Sequence, residues 1–234
     1  LIAEHGNEII KLAEENEVKF LFEAAVAGGI PIIKIITQSL SANKIDSMLG
    51  IINGTGNFIL SEMKNKDKEF SKVLKEAQKL GYAEADPEFD IKGIDAAHKL
   101  CILAAIAFGT ELQVAKIYTE GIDDITTEDM DYARELGFTI KSLAIAKKHK
   151  NTIEMRVHPT LIPKDKLIAN VNGVMNAVLI NSNALGESLY YGAGAGAEAT
   201  ASAVIADLID IINNQTNKNI LGWQQRKKIA TLDH

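Results

Sequence analysis

Asp95 and Lys99 stand four residues apart at the start of an uncharged run, and the dozen residues ending at Asp95 hold five carboxylates: Glu84, Asp86, Glu88, Asp90 and Asp95 itself. The stretch reads GYAEADPEFDIKGIDAAHKL from Gly81 to Leu100. Four-residue spacing puts Asp95 and Lys99 on one helix face, and that face continues through Ile102 and Ile106 toward an apolar interior. A lysine at such an entrance loses hydration, which lowers its pKa, while a neighbouring carboxylate acts in the opposite sense. Opposed influences of this kind poise a proton donor. The same spacing equally describes a helix salt bridge of about 0.3 to 0.5 kcal/mol beside a solvated acidic loop in which Asp86-Pro87 starts a turn. His98, between apolar neighbours, reads as a hydrogen-bonded structural group, and Cys101 lies too deep in the run to act as a nucleophile. Spacing alone leaves both readings of the pair open.

The helix that must carry the pair runs from Gly93 to Phe108, and after Lys99 it shows no charge on any face for about two turns, the pattern of a helix surrounded by protein. Upstream, Ile2, Ile9, Leu12 and Ala13 give Leu1 to Glu15 helical spacing, and VKFLFEAAV after it reads as a buried parallel strand. Two glycines precede Pro31, so this strand should turn sharply into a helix. KIDSMLGIINGT predicts a strand and tight turn; GNFILSEMKNKD and EFSKVLKEAQKLG predict helices, the second stopped by Gly81. TTEDMDYARELG predicts a helix capped by Thr126 or Thr127. TIKSLAIAKKHKNTIEMRVHPTLI predicts two strands joined by a polar turn, and NGVMNAVLINSNALGESLYYGAGAG continues in the same style. GAGAGAEATASAVIADLIDIINN opens a helix on a glycine-rich turn, and residues 214–234 read as linker or frayed end. Alternating elements followed by strands with flanking helices predict an α/β start joined to an α+β domain.

Composition narrows the partners. A net charge of -6 with scattered basic residues gives no electrostatic reason to bind nucleic acid or an anionic membrane, and the uncharged run from Leu100 to Thr110 is too short to span a bilayer. The single cysteine excludes an internal disulfide and a cysteine-based zinc site; it fits a reducing compartment, and the cytoplasm is the expected location.

Four separate motifs in order, FEAAVAGGIPII, LGIINGTGNFIL, EAQKLGYAEADPEFDIKGIDAAHKL and GAGAGAEATASAV, resemble those of homoserine dehydrogenases over nearly the whole chain. The resemblance implies NAD(P)-dependent interconversion of L-homoserine and L-aspartate 4-semialdehyde, on the route to threonine, methionine and isoleucine. It implies that Lys99 donates the proton to the carbonyl oxygen and Asp95 holds the lysine and that oxygen in line, that Glu84 grips the substrate ammonium with Asp90 either beside it or orienting Lys99, and that Asn53, Gly54 and Thr55 form a turn near substrate and cofactor. Gly194, Gly196 and Thr200 would lie near the NAD or NADP, with Ala199 standing where many members have proline. Glu23 and the carbonyls of Val26, Gly28 and Ile30 would coordinate sodium, although a glycine turn opening a helix explains the same residues.

The implied organisation is a remnant of a Rossmann-type nucleotide-binding domain over residues 1–28, an α+β catalytic and dimerisation domain with a mixed β-sheet over 29–191, a helix returning to the nucleotide domain over 192–214, and a tail over 215–234. No G-x-G-x-x-G turn after a first strand is present. The chain thus reads as a fragment, expected to be inactive alone and to form a homodimer when folded. Two other readings use the same residues: a Schiff-base lyase built on Lys99, and a non-catalytic module that grips an amino acid through the carboxylates.

Overall fold

The alternating apolar residues of the β-rich half settle into one mixed sheet in a computed structural model that describes residues 1–66, 68–213 and 228–229. Strands β1 (Ile45–Ile51), β2 (Tyr118–Thr119), β3 (Phe138–Lys148), β4 (Thr152–Pro163), β5 (Met175–Ser182) and β6 (Gly186–Ala193) lie in the order β2-β4-β3-β1-β5-β6. The β3–β4 hairpin pairs antiparallel from Phe138 with Pro163 to Lys148 with Ile153. Antiparallel β1 sits between β3 and β5, and β2 runs parallel to β4, which makes the sheet mixed. A further pair, β7 (Lys228–Ile229), runs parallel to the start of β4; otherwise the stretch read as linker or frayed end lies outside the described residues.

The helices are α1 (Ile2–Glu15), α2 (Ile32–Lys34, continued by a π turn Ile35–Ser39), α3 (Gly54–Lys66), α4 (Phe70–Lys79), α5 (Glu88–Ile91), α6 (Ile94–Phe108), α7 (Thr127–Glu135) and α8 (Ala197–Asn213). Because strand side chains alternate, Met48, Ala144, Ala146, Met155, Val157, Val178 and Ile180 share one sheet face, and α6 packs into their cluster. Leu100, Cys101, Leu103, Ala104 and Ala105 of α6 are at most 1% exposed, as its uncharged run predicts. Helices α3, α4 and α7 form a second cluster that meets β3 at Ile140. The opposite sheet face is more open: Leu49, Leu143, Leu161 and Leu179 line a depression of ≈ 410 Å³. Among the described residues no helix is long and apolar enough to cross a membrane.

Two local expectations need correction. Residues 18–22 form no strand, and Glu23–Ala25 make a 3₁₀ turn. The amide of Glu23 donates to Asp207 Oδ2 (2.8 Å) and that of Ala25 to the Phe22 carbonyl (2.9 Å), so the chain turns where a ladder would continue. The apolar residues there report burial, since Phe22 and Val26 are core, and burial alone does not make a strand. The acidic stretch is also not all loop: Pro87 begins the single turn α5, with Ile91 N–H donating to the Pro87 carbonyl at 3.0 Å. At the chain's start, α1 packs on α6 side of the core through Ala3, and the Asn7 side chain exchanges hydrogen bonds with the main chain of Leu112 (3.4 and 3.3 Å).

Candidate active site

Asn53, Asp90, Asp95 and Lys99 come from three elements and meet at one spot. The turn after β1 supplies Asn53, whose Nδ2 donates to Asp90 Oδ1 (2.7 Å) and to Asp95 Oδ2 (2.8 Å). Lys99 Nζ donates to the same Asp95 oxygen at 2.6 Å and to the Ile52 carbonyl at 3.1 Å. Lys99 and Asp95 keep 23% and 18% of their side-chain surface exposed, so the pair is held firmly yet reachable. Two carboxylates and one ammonium leave the cluster with an excess negative charge, suited to a substrate that carries an ammonium group.

The backbone explains why these groups converge. Gly93 links α5 to α6 in the left-handed region (φ +78), and a Cβ there would lie 3.1 Å from both Thr119 and Val157 side chains, so glycine satisfies angle and space together. Asn53 caps α3, its Oδ1 accepting the Gly56 amide at 2.7 Å, which fixes the direction of Nδ2. Gly54 lies against the Val174 carbonyl, where a Cβ would come within 2.9 Å. Thr55 Oγ1 donates to the Tyr82 carbonyl at 2.6 Å and so ties α3 to the acidic stretch.

Other sequence candidates lie outside this network. Glu84 is exposed, with its carbonyl accepting from Gln78 Nε2 (3.1 Å), and its carboxylate does not hydrogen-bond the cluster. His98 meets Phe89 edge-on at 5.3 Å between ring centres, and burial pushes the Cys101 thiol up to about 11, which suits neither to nucleophilic chemistry.

A second region joins the glycine turns at both ends of the chain. Gly29 N–H donates to the Ala193 carbonyl at 2.8 Å, and a Cβ on Gly28 would lie 3.1 Å from the Gly194 carbonyl and 3.4 Å from Thr200 Oγ1. At Gly194 the space for a side chain is taken by Asn176. Gly196 (φ +118) precedes α8, and Gly196, Thr200, Val204 and Ile205 line an open depression of ≈ 580 Å³. Glu23 is 2% exposed; its Oε1 and Oε2 accept the Ile33 and Lys34 amides (2.8 and 2.9 Å) at the start of α2. Burial raises its carboxyl above the ordinary value against those two hydrogen bonds. Among the described residues no group of three or more His, Cys, Asp and Glu could hold a metal ion.

The reading from sequence passed over Lys141. It is 1% exposed on β3, where Nζ donates to Asn57 Oδ1 (3.0 Å), Ser61 Oγ (3.4 Å), Asn172 Oδ1 (3.1 Å) and the Val171 carbonyl. The available signal was its place in TIKSLAIA, a lysine in a strand whose alternate residues Leu143 and Ile145 are core.

Fold and cluster together define an α+β domain with a partly exposed lysine and two carboxylates side by side, groups able to carry acid–base chemistry. The chain belongs to the homoserine dehydrogenase family, whose profile matches residues 31–209. It is 63% identical over 217 residues to a homoserine dehydrogenase of Pseudomonas aeruginosa, covering 93% of this chain and 50% of that protein. A Helicobacter pylori homoserine dehydrogenase is 50% identical over 229 residues, covering 98% of this chain and 54% of its own length. A crystal structure of the Thiobacillus denitrificans enzyme superposes with a TM-score of 0.95 at 56% identity, over 99% of this chain and 56% of that one. A hyperthermophilic archaeal homoserine dehydrogenase in complex with NADPH superposes with a TM-score of 0.76 at 29% identity, over 93% of this chain and 63% of that one. The chain spans about half the length of the curated relatives it matches.

Proposed function

We propose that this chain supplies the substrate-binding and proton-transfer part of a homoserine dehydrogenase, interconverting L-homoserine and L-aspartate 4-semialdehyde with NAD or NADP. The observation that carries the reading is the position of Lys99: Nζ is held on the Asp95 carboxylate at 2.6 Å and on the Ile52 carbonyl at 3.1 Å, at a site still open to solvent, which places it to pass a proton to a bound oxygen. The nicotinamide cofactor supplies the hydride. In the reducing direction Lys99 protonates the carbonyl oxygen of the semialdehyde as the alcohol forms, and Asp95 keeps Nζ in line. Asn53 holds Asp95 and Asp90 at a fixed separation. Asp90 and the exposed Glu84 receive the substrate ammonium.

Gly196 and Thr200 fit one wall of a dinucleotide pocket, because they border the open depression at the start of α8 and Gly196 has no neighbour in the place of a side chain; Gly194 belongs to the same turn in this reading but lies outside that depression, its side-chain space filled by Asn176. One wall is not a pocket. The 234-residue chain alone is therefore expected to give neither saturable NADPH or NADH binding nor turnover, and calorimetric titration tests this. Glu23 with the carbonyls of Val26, Gly28 and Ile30 is the ligand set this reading gives a sodium ion, although both Glu23 oxygens here accept the Ile33 and Lys34 amides and the Ile30 carbonyl accepts the Ile32 amide at 2.7 Å. Beside this set the Lys34 ammonium pairs with Asp210 at 2.8 Å and Asp207 at 3.7 Å, and the Glu23 carboxylate accepts the Lys34 amide. The contact between Glu23 and Asp207 supports grouping residues 1–28 with 192–214 as the nucleotide side, and 29–191 as the catalytic and dimerisation domain. The open sheet face, with Leu161 53% and Leu167 72% exposed, is the homodimer surface in this reading; micromolar sedimentation showing only monomer contradicts it.

The enzymatic reading is tested by Lys99→Ala in the chain extended to the length of its relatives, where turnover should be lost while homoserine still binds. Borohydride reduction of an aldehyde substrate onto Lys99 would instead favour the lyase.

A further inference from the structure

Lys141 lies under α3, away from the surface at which Lys99 is reached, and every acceptor of its ammonium named above is neutral. A lysine buried with no carboxylate against it among the described residues is costly to fold around, charged or neutral, because its amino group must find every partner inside the fold. What it holds together is specific. Its bonds to Asn57 and Ser61 grip successive turns of α3, and those to Val171 and Asn172 grip the segment that leads into β5.

Asn57 completes the joint from the other side. Its Nδ2 donates to the carbonyls of Val171 (3.2 Å), Gly173 (2.9 Å) and Met175 (3.1 Å), while its Oδ1 is oriented by Lys141. Ser61 Oγ accepts the Gly173 amide at 3.2 Å, and the Val174 carbonyl presses on Gly54. One turn back along α3, the Asn57 amide donates to the carbonyl of Asn53 at 3.2 Å. Asn53 is the residue that bridges Asp90 and Asp95. A continuous path of buried or half-buried hydrogen bonds thus runs from Lys141 through Asn57 and Asn53 to Asp95 and Lys99.

We propose that Lys141 is a positioning residue for the Asp95–Lys99 pair, acting through the first turn of α3. It fixes the rotation of that turn against residues 171–175, and so the direction in which the Asn53 side chain leaves its cap. Losing the clamp lets the cap rock, and reacting groups displaced by about 1 Å can cost as much as 10²-fold in rate. The inference rests on the reading of Lys99 as the proton donor.

The test uses the chain extended to the length of its relatives, with Lys141→Met to keep the stem and remove the ammonium. The expected result is a kcat for homoserine oxidation lowered about tenfold, with the KM for the cofactor unchanged and a folded dimer at the assay temperature. A clamp that only stabilises the fold would lower the melting temperature and leave the kcat of the folded enzyme at its wild-type value; that result overturns the proposal. Should Lys141→Met fail to fold, Ser61→Ala, which removes one acceptor, decides: a kcat lowered severalfold at unchanged cofactor KM supports the proposal, and an unchanged kcat rejects it. Lys99→Ala run alongside separates the two ideas, since turnover surviving that change sinks the reading of the site itself, whatever Lys141 does.

Discussion

Lys99 and Lys141 are both bound by main-chain and side-chain oxygens, but their surroundings differ in every respect that sets chemical role. Lys99 shares an oxygen of Asp95 with Asn53, has a second carboxylate one hydrogen bond further away, and keeps 23% of its side chain exposed. Lys141 is sealed at 1% exposure among neutral acceptors, and burial with the nearby Lys64 pushes it down to about 7. A lysine that must meet substrate needs a charge partner that positions it and an open side. One that must hold two elements together needs acceptors on both and no open side. Residue type alone separates neither case, and the partners do.

The first way to break the comparison is to remove each ammonium in turn from the chain extended to the length of its relatives. Lys99→Met should lower turnover by about 10²- to 10⁴-fold, the usual contribution of a positioned proton donor. Lys141→Met should lower it only about tenfold, and equal losses at the two positions would erase the distinction. Steady-state rates of homoserine oxidation measure both.

Stability should rank the two positions in the opposite order. Lys141→Met leaves Asn57 Oδ1 buried without its donor and should cost about 1 to 3 kcal/mol in urea unfolding. Lys99→Met removes a partly exposed pair whose remaining carboxylate keeps its Asn53 donor, and should cost about 1 kcal/mol or less. Glu84→Gln sharpens the account of the acidic stretch: it should raise the KM for homoserine about tenfold, as loss of one charged hydrogen bond would, with kcat nearly unchanged. An unaltered KM removes Glu84 from ammonium binding.

A further difference between the two lysines is a slope of stability with pH. Lys141 titrates near 10.5 when free and at about 7 in the fold, so between these values the unfolded chain binds a proton that the folded chain lacks. Its contribution therefore makes stability rise with pH from about 7 to 10.5, and below about 7 the cost of the buried charge is present in full. Unfolding of the wild type minus that of Lys141→Met, followed across this range, should move in favour of the wild type as pH rises. A flat difference means that the neutral acceptors hold the ammonium charged throughout.

How much could be read in advance follows from the range of each interaction. The buried helix α6 and the side-by-side placement of Asp95 and Lys99 are local consequences of an uncharged run and a four-residue spacing, and both stand in the structure. The helix-capping role of Asn53 lies in its own turn, but its double bond to Asp90 and Asp95 spans 37 and 42 residues and has no local signature. Lys141 was harder still, because its acceptors lie 30, 31, 80 and 84 residues away. Residues 18–26 misled for the converse reason: their composition suits a strand, and composition carries no information about which neighbours a strand would pair with.

The central claim is that Lys99 gives the proton while other groups hold the substrate. Its most direct test is single-turnover hydride transfer in Lys99→Ala, in the chain extended to the length of its relatives, measured beside the dissociation constant for homoserine. The account predicts a transfer rate lowered by at least about 10²-fold with homoserine affinity within about threefold of wild type. A near-normal transfer rate in Lys99→Ala would contradict it.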